Sequence, residues 1–229
     1  FMGLSAGHSV LDVGCGAGSL DRLLAQWHGP RLAITAFDLN PFLLREAAAL
    51  AKAEGVDAGI TFRQGSAESL PFPDSSFDAA FSVTVLEECD ADKAIAEMVR
   101  VTRPGGAVGV IVRAIDMPQW WNVDVPPHLA AIVDTPAQSV GRTGVADRSL
   151  YPRMRAAGLV DLARFPTLVT LDRPGSPIWR YREDHVLAQL SGSDLGAWRA
   201  ARDAAAGAGQ LFMAHPLHAA VGRKPKTVA

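Results

Sequence analysis

Cysteine is scarce in this chain: Cys15 and Cys89 are the two among 229 residues. They sit in unlike contexts, which excludes a disulfide framework and fits a reducing, cytoplasmic compartment. An excess of charge is also missing. Lys and Arg number 22 against 24 Asp and Glu, a formal net charge of −2, so bulk electrostatics gives no reason to expect a nucleic-acid partner. Long apolar runs are absent: stretches such as Ala107–Val112 are far too short to span a bilayer, so no membrane insertion is expected. No basic segment followed by an apolar one opens the sequence, so no signal peptide is expected. None of the six histidines stands at metal-ligand spacing with an acid or a cysteine, and no metal is expected.

What is present is a hydrophobic fraction of 48%, enough for a sizeable core. The most informative stretch is Val10-Leu11-Asp12-Val13-Gly14-Cys15-Gly16-Ala17-Gly18. An apolar run ends in glycines at alternate positions, and Leu20, Leu23, Leu24 and Trp27 follow at helical spacing. This reads as strand, tight turn, helix. Glycine permits positive φ and lets a ligand approach without meeting a Cβ, and the N–H groups opening the helix are free to contact it. The same pace continues. Arg31–Asp38 is a buried strand, and Asn40-Pro41 caps and opens a helix. Gly59–Gln64 and Phe77–Val83 are further strands. Asp90 or Asp92 starts a helix that Arg103-Pro104-Gly105-Gly106 ends, and Ala107–Val112 is a fifth strand. Strands alternating with helices in this way imply a doubly wound α/β fold with a mostly parallel sheet.

Beyond residue 113 the pattern is less regular. Short helices are expected near His128–Val133 and from Asp147 or Ser149 to Ala157. A strand interrupted at Pro166 follows, then helices near Trp179–Leu190 and Leu195–Ala206. Gln210–Gly222 reads as the last strand, with Pro216 implying an edge or a bulge. No composition shift marks a second domain. The chain reads as one domain over 1–229, with a cofactor-binding half (1–113), variable substrate-side segments (114–208) and a last strand (209–226).

Gly14-x-Gly16-x-Gly18 is not the dinucleotide fingerprint, which needs its third glycine at position 19, where serine stands. Asp38, 20 residues beyond Gly18, ends the second strand, where a carboxylate can accept both hydroxyls of a ribose. Glycine loop and strand-end acid together point to an adenosine-like ligand. An ordinary strand–helix turn and a helix-start charge are the competing readings of each feature taken alone.

Four linked stretches resemble one family: the glycine loop; Phe37-Asp38-Leu39-Asn40; Gly65-Ser66-Ala67-Glu68-Ser69-Leu70-Pro71-Phe72 running into Ser76-Phe77-Asp78; and Glu97-Met98-Val99-Arg100-Val101-Thr102-Arg103-Pro104-Gly105-Gly106. The chain is similar to class I S-adenosylmethionine-dependent methyltransferases, and within them to the ubiquinone- and menaquinone-biosynthesis group. The resemblance implies a Rossmann-like, seven-stranded sheet with an antiparallel last strand. It implies S-adenosylmethionine as cofactor and a small-molecule acceptor. Gly14, Gly16 and Gly18 would pass under the methionine moiety, with Asp12 near its amino group and Cys15 beside it as a small filler. Asp38 would take the ribose hydroxyls and Leu39 the adenine face. Ser66 and Ala67 would sit at the adenine edge, where Ser66 replaces the family's usual Asp and Glu68 could share its role. Ser82 and Val83 would meet the methionine end through backbone groups. Glu88 stands where the family often has His.

Methyl transfer from a sulfonium needs alignment more than a fixed triad, and a base only when the acceptor keeps its proton. His128, in the variable segment, and Glu88, after the fourth strand, are the candidate bases, each set against a plain surface role. A nicotinamide-dependent oxidoreductase and a non-catalytic S-adenosylmethionine binder are the rival functions.

Overall fold

The structure is a computed structural model describing residues 2–226. In chain order its elements are β1 (Ser9–Val13), α1 (Ser19–His28), β2 (Ala33–Asp38), α2 (Pro41–Ala53), β3 (Ile60–Gln64), β4 (Phe77–Val83), α3 (Ala91–Val101), β5 (Thr102–Arg113), β6 (Trp120–Trp121), α4 (Pro127–Val133), α5 (Leu150–Ala156), β7 (Val160–Arg164), β8 (Thr167–Leu171), α6 (Pro177–Leu187), α7 (Gly192–Gly207) and β9 (Met213–Arg223). These pack into two compact units. The first takes the described residues up to Val112, residues 140–165 and those from His218 on; the second takes Arg113–Ser139 and Pro166–Leu217. The stretch that looked irregular in sequence is thus divided, with 140–165 packed in the first unit.

In the first unit the strand order is β3-β2-β1-β4-β5 followed by the C-terminal half of β9, parallel as far as β5 and antiparallel at β9. β7 pairs with β9 through Val160↔Arg223 and Arg164↔Ala220. Alternate residues along the central strands enter two separate cores. Leu11, Val13, Ala80, Val108 and Val110 pack against Ile95 and Met98 of α3 and Leu150 and Met154 of α5. Val10, Ile34, Ala36, Ala79 and Phe81 pack against Leu24 and Ala25 of α1 and Ala51 of α2. The helices start as their sequences require. The Asn40 side chain accepts from the N–H groups of Phe42 and Leu43, with Pro41 in the first turn, and Asp90 accepts from Lys93 N–H.

One expected boundary moves. Arg103–Gly106 does not form a loop between helix and strand. α3 passes directly into β5, and these residues form a bulge, the pairing with β4 jumping from Phe77↔Thr102 to Ala79↔Ala107. Gly106 is required there: a Cβ would lie 2.6 Å from the Asp78 carbonyl oxygen.

The second unit has a core of its own. Trp121 packs edge-on against both Trp179 and Trp198, with ring centroids 5.1 and 5.2 Å apart, and Leu129, Val133, Val186 and Met213 complete it. β6 and β8 both pair antiparallel with the Met213–Leu217 half of β9. Pro216 is therefore not on an edge. It pairs with Leu168 of β8, and its carbonyl accepts from Ala114 N–H.

Candidate cofactor site

The site is built at the carboxyl ends of β1 and β2, where open parallel sheets bind ligands. The loop after β1 is folded back onto β2: the N–H groups of Gly14 and Cys15 both donate to the Phe37 carbonyl, at 2.7 and 3.1 Å. Gly14, Gly16 and Gly18 have φ of +85°, +55° and +70°, a region that penalises any residue with a Cβ. Their surroundings differ. A Cβ on Gly14 would strike Val85 at 2.2 Å, and one on Gly18 would lie 3.0 Å from Ala47, whereas one on Gly16 would meet nothing within 4 Å. Gly14 and Gly18 are thus required by packing, and Gly16 leaves open space over the loop.

Asp38 ends β2 as the sequence predicts. One oxygen accepts from Gly16 N–H and the other from Asn40 N–H, both at 2.8 Å. A carboxylate offers about four lone-pair sites, so Asp38 fixes the loop and the start of α2 and keeps acceptor capacity for a diol. Leu39 beside it is 68% exposed, an apolar surface that a flat ring would cover. Gly65 N–H donates to the Asp38 carbonyl at 3.0 Å. A Cβ on Gly65 would lie 2.4 Å from the Phe37 ring, so this turn approaches β2 as closely as glycine allows.

The remaining residues divide between the cavity and the scaffold. Ser66 Oγ accepts from Glu68 N–H at 3.2 Å, an internal turn bond. One oxygen of the Glu68 carboxylate accepts from Asp90 N–H at 2.9 Å, at the start of α3. Ser82 is fully buried, and its hydroxyl donates to the Val13 carbonyl at 2.7 Å, tying β4 to β1. Arg100 binds Glu97, Asp74 and the carbonyls of Leu70 and Phe72, which locks the loop after Ser66. Hydrogen bonds from Arg100 and from Leu70 N–H hold the Glu97 carboxyl below its usual range.

Beneath the loop lies a feature that hydrophobic periodicity concealed. The inward face of α1 consists of Asp21, Leu24 and Ala25, whereas Leu20 and Leu23 are 36% exposed and Trp27 68%. Asp12 and Asp21 are both buried. Burial, then the Asp21 and Asp38 charges, raises Asp12 well above the ordinary carboxylate range, and burial raises Asp21 to about 6. Cys15 is pushed up by burial and by Asp21, Asp12 and Asp38, so it is a protonated thiol and no nucleophile.

Glycine loop, strand-end acid and strand order coincide with a match of residues 11–110 to the family described as methyltransferase domain. Residues 11–110 are a class I S-adenosylmethionine-dependent methyltransferase domain. The ubiquinone/menaquinone biosynthesis C-methyltransferase of Hahella chejuensis is 37% identical over 110 residues, covering 48% of this chain and 44% of that protein. A sterol 24-C-methyltransferase of Gibberella zeae is 34% identical over 110 residues, covering 48% and 28%. The matched stretch thus spans less than half of either relative. The solved structure of the YcgJ protein from Bacillus subtilis shares the fold, with a TM-score of 0.64, 23% identity and coverage of 98% and 95%.

The methyltransferase domain's residues suit its cofactor, S-adenosylmethionine. The open space over Gly16 would accommodate a backbone-sized approach, Asp38 would keep acceptors for a ribose, and Asp12, on β1 before the loop, would stand near an ammonium group. Among the described residues no helix is long and apolar enough to cross a membrane, and no three His, Cys, Asp or Glu side chains form a group that could hold a metal ion.

The structure sorts the candidate bases. His128 belongs to the second unit, where it is exposed and its Nε2 lies 3.3 Å from Asp194. Glu88 is exposed, while its neighbour Glu87 is buried, with its carbonyl accepting from Gly141 N–H at 2.7 Å. In the first unit His218 is buried and its Nδ1 stands 2.8 Å from the Tyr151 hydroxyl, a pairing of α5 with β9 that sequence spacing could not reveal. In the second unit His215 is buried 3.0 Å from Arg182, and burial with the Arg182 and Arg113 charges pushes it down to about 3. Unfolded histidine takes up its proton near 6.5. Between these values the unfolded chain binds more protons, so His215 withdraws stability as pH falls from about 6.5 toward 3. The melting temperature should drop on acidification below pH 6.5, and His215→Gln should flatten that part of the profile.

Proposed function

We propose that the protein transfers a methyl group from S-adenosylmethionine to a small, partly apolar acceptor. The observation that carries this reading is the open glycine loop held by Asp38, in a domain of this family. S-adenosylmethionine supplies an already activated methyl group. What remains for the chain is to bind, to orient, and to exclude water. Gly14 and Cys15, locked to Phe37, and Gly16, locked to Asp38, fix the loop before any ligand arrives, so little ordering cost is left for binding.

The acceptor's character is supported by a cavity of about 230 Å³ in the first unit, lined by Leu20, Leu24, Phe81, Val83, Ile111 and Phe165 among others. Leu20 and Leu24 reach it from α1, just beyond the glycine loop, and Val83 ends β4. Such a lining favours an apolar body over a charged one.

The test is an assay of S-adenosylhomocysteine release with pooled small metabolites, read by mass spectrometry for a product heavier by one methyl group. Methylation of an apolar acceptor is the expected result. Thermal stabilisation by NAD(H) with none by S-adenosylhomocysteine would instead favour an oxidoreductase. Binding without turnover of any acceptor would favour a non-catalytic binder.

A further inference from the structure

We propose that the second unit holds a binding site for a carboxylate-bearing small molecule, in which His215 donates from Nδ1 to the carboxylate beside the guanidinium of Arg182. α6 turns Trp179, Arg182 and Val186 inward. Trp179 and Val186 join the tryptophan core. Arg182, 2% exposed, instead meets His215 of β9, 5% exposed, with Nη2 3.0 Å from Nε2. Arginine can only donate, so Nε2 is the acceptor and the proton of the neutral imidazole sits on Nδ1. That N–H is buried, and no group among the described residues accepts from it. Buried donors in folded proteins are paired almost without exception, because an unmade bond forfeits the hydration it replaced.

The neighbours decide what kind of acceptor fits. The Arg182 guanidinium lies 5.3 Å from the centre of the Tyr181 ring, and the Tyr181 hydroxyl stands 2.7 Å from Ser139 Oγ. Arg113, at the end of β5, donates to Ser139 Oγ at 3.3 Å and to the Ser139 carbonyl at 2.7 Å. Ser139 and Tyr181 are exposed, so the network runs from the buried imidazole to the surface. Burial, then the Arg182 and Arg113 charges, keeps that imidazole uncharged. The field that disfavours an imidazolium favours an anion as the acceptor over a neutral carbonyl. A carboxylate suits the position better than a phosphate. Its two oxygens lie in one plane, so one can face the imidazole N–H while the other stays toward the guanidinium. A phosphate would bring three oxygens and up to two charges to a single buried imidazole donor.

Thermal unfolding of the whole chain in sodium benzoate, at fixed ionic strength and near neutral pH, tests the site. Benzamide serves as the uncharged analogue and inorganic phosphate as the second anion. Benzoate should raise the melting temperature saturably, as a ligand of the folded state does, and benzamide should not. In His215→Gln the amide oxygen can take the place of Nε2 and keep the bond to Arg182, but no donor stands at the Nδ1 position. Benzoate affinity should therefore fall about tenfold or more. In nitrogen-15 spectra of the wild type, His215 should show the Nδ1–H tautomer, and that resonance should move as benzoate is added. Equal stabilisation by benzamide, benzoate affinity unchanged in His215→Gln, or binding of phosphate at His215 in place of benzoate would overturn the proposal. Should His215→Gln not fold, the wild-type resonance decides: an Nδ1 signal that benzoate leaves unmoved overturns the site.

Discussion

Asp38→Ala is expected to weaken S-adenosylhomocysteine binding by about 100-fold, or ~3 kcal/mol. The carboxylate has two duties. It accepts from Gly16 N–H and Asn40 N–H at 2.8 Å each, and hydrogen bonds to a charged group contribute roughly 1.5–3 kcal/mol apiece. It also keeps the remaining lone pairs that a ribose diol would use. Alanine removes both the tether on the loop and the recognition of the sugar. Asp38→Asn separates the two, because its single acceptor oxygen can hold one N–H but not a tethered loop and a diol together. Its affinity should fall between wild type and alanine. Calorimetry or fluorescence titration measures the series, and an unchanged affinity in Asp38→Ala would place the ribose elsewhere.

The second large effect is on stability. Gly144→Ala should lower the unfolding free energy by about 2–3 kcal/mol, read as an earlier midpoint in urea. A Cβ on Gly144 would lie 2.2 Å from the Glu87 carbonyl oxygen and 2.7 Å from its carbonyl carbon. Backbone on that side cannot swing away as a side chain could. It is held by Gly141 N–H on the same oxygen at 2.7 Å and by Val145 N–H on Leu86 at 2.9 Å. Relief requires residues 141–145 to lift off the loop between β4 and α3. Val85 belongs to that loop and packs on Gly14, so cofactor affinity should fall with stability. A midpoint equal to wild type would mean that the segment has room the contacts deny.

Residues that answer to backbone geometry were legible in the sequence. The glycines after β1, Asp38 and Asn40-Pro41 each meet a local requirement, of positive φ, of a strand-end acceptor or of a helix cap, and each stands where those requirements place it. Residues whose meaning depends on a distant partner were not. Leu20, Leu23, Leu24 and Trp27 follow the helical period, yet α1 turns Asp21 inward with Leu24 and Ala25. The only signal was an acid at the spacing of Leu24 and Ala25. Glu68 also serves the start of α3, through a bond to a residue 22 positions away that no local pattern signals. Pro216 suggested an edge because proline lacks a donor, but a carbonyl alone suffices to join Ala114. The tryptophan core of the second unit is assembled from Trp121, Trp179 and Trp198, which no single window of sequence holds together.

The division of β9 has a consequence for how the chain is made. Its first half completes the sheet of the second unit and its last half that of the first. Lys224, just after β9, reaches back to the carbonyls of Arg100 and Thr102. During synthesis neither unit can close until the last strand has left the ribosome, so the glycine loop and the tryptophan core wait for the same eleven residues. Folding is therefore dominated by long-range pairing, a regime in which the half-made chain shows its unpaired strands to chaperones. No single cut could yield either unit alone. A protein engineer seeking a minimal cofactor-binding fragment would have to excise residues 113–139 and 166–217 separately and join the pieces that flank them.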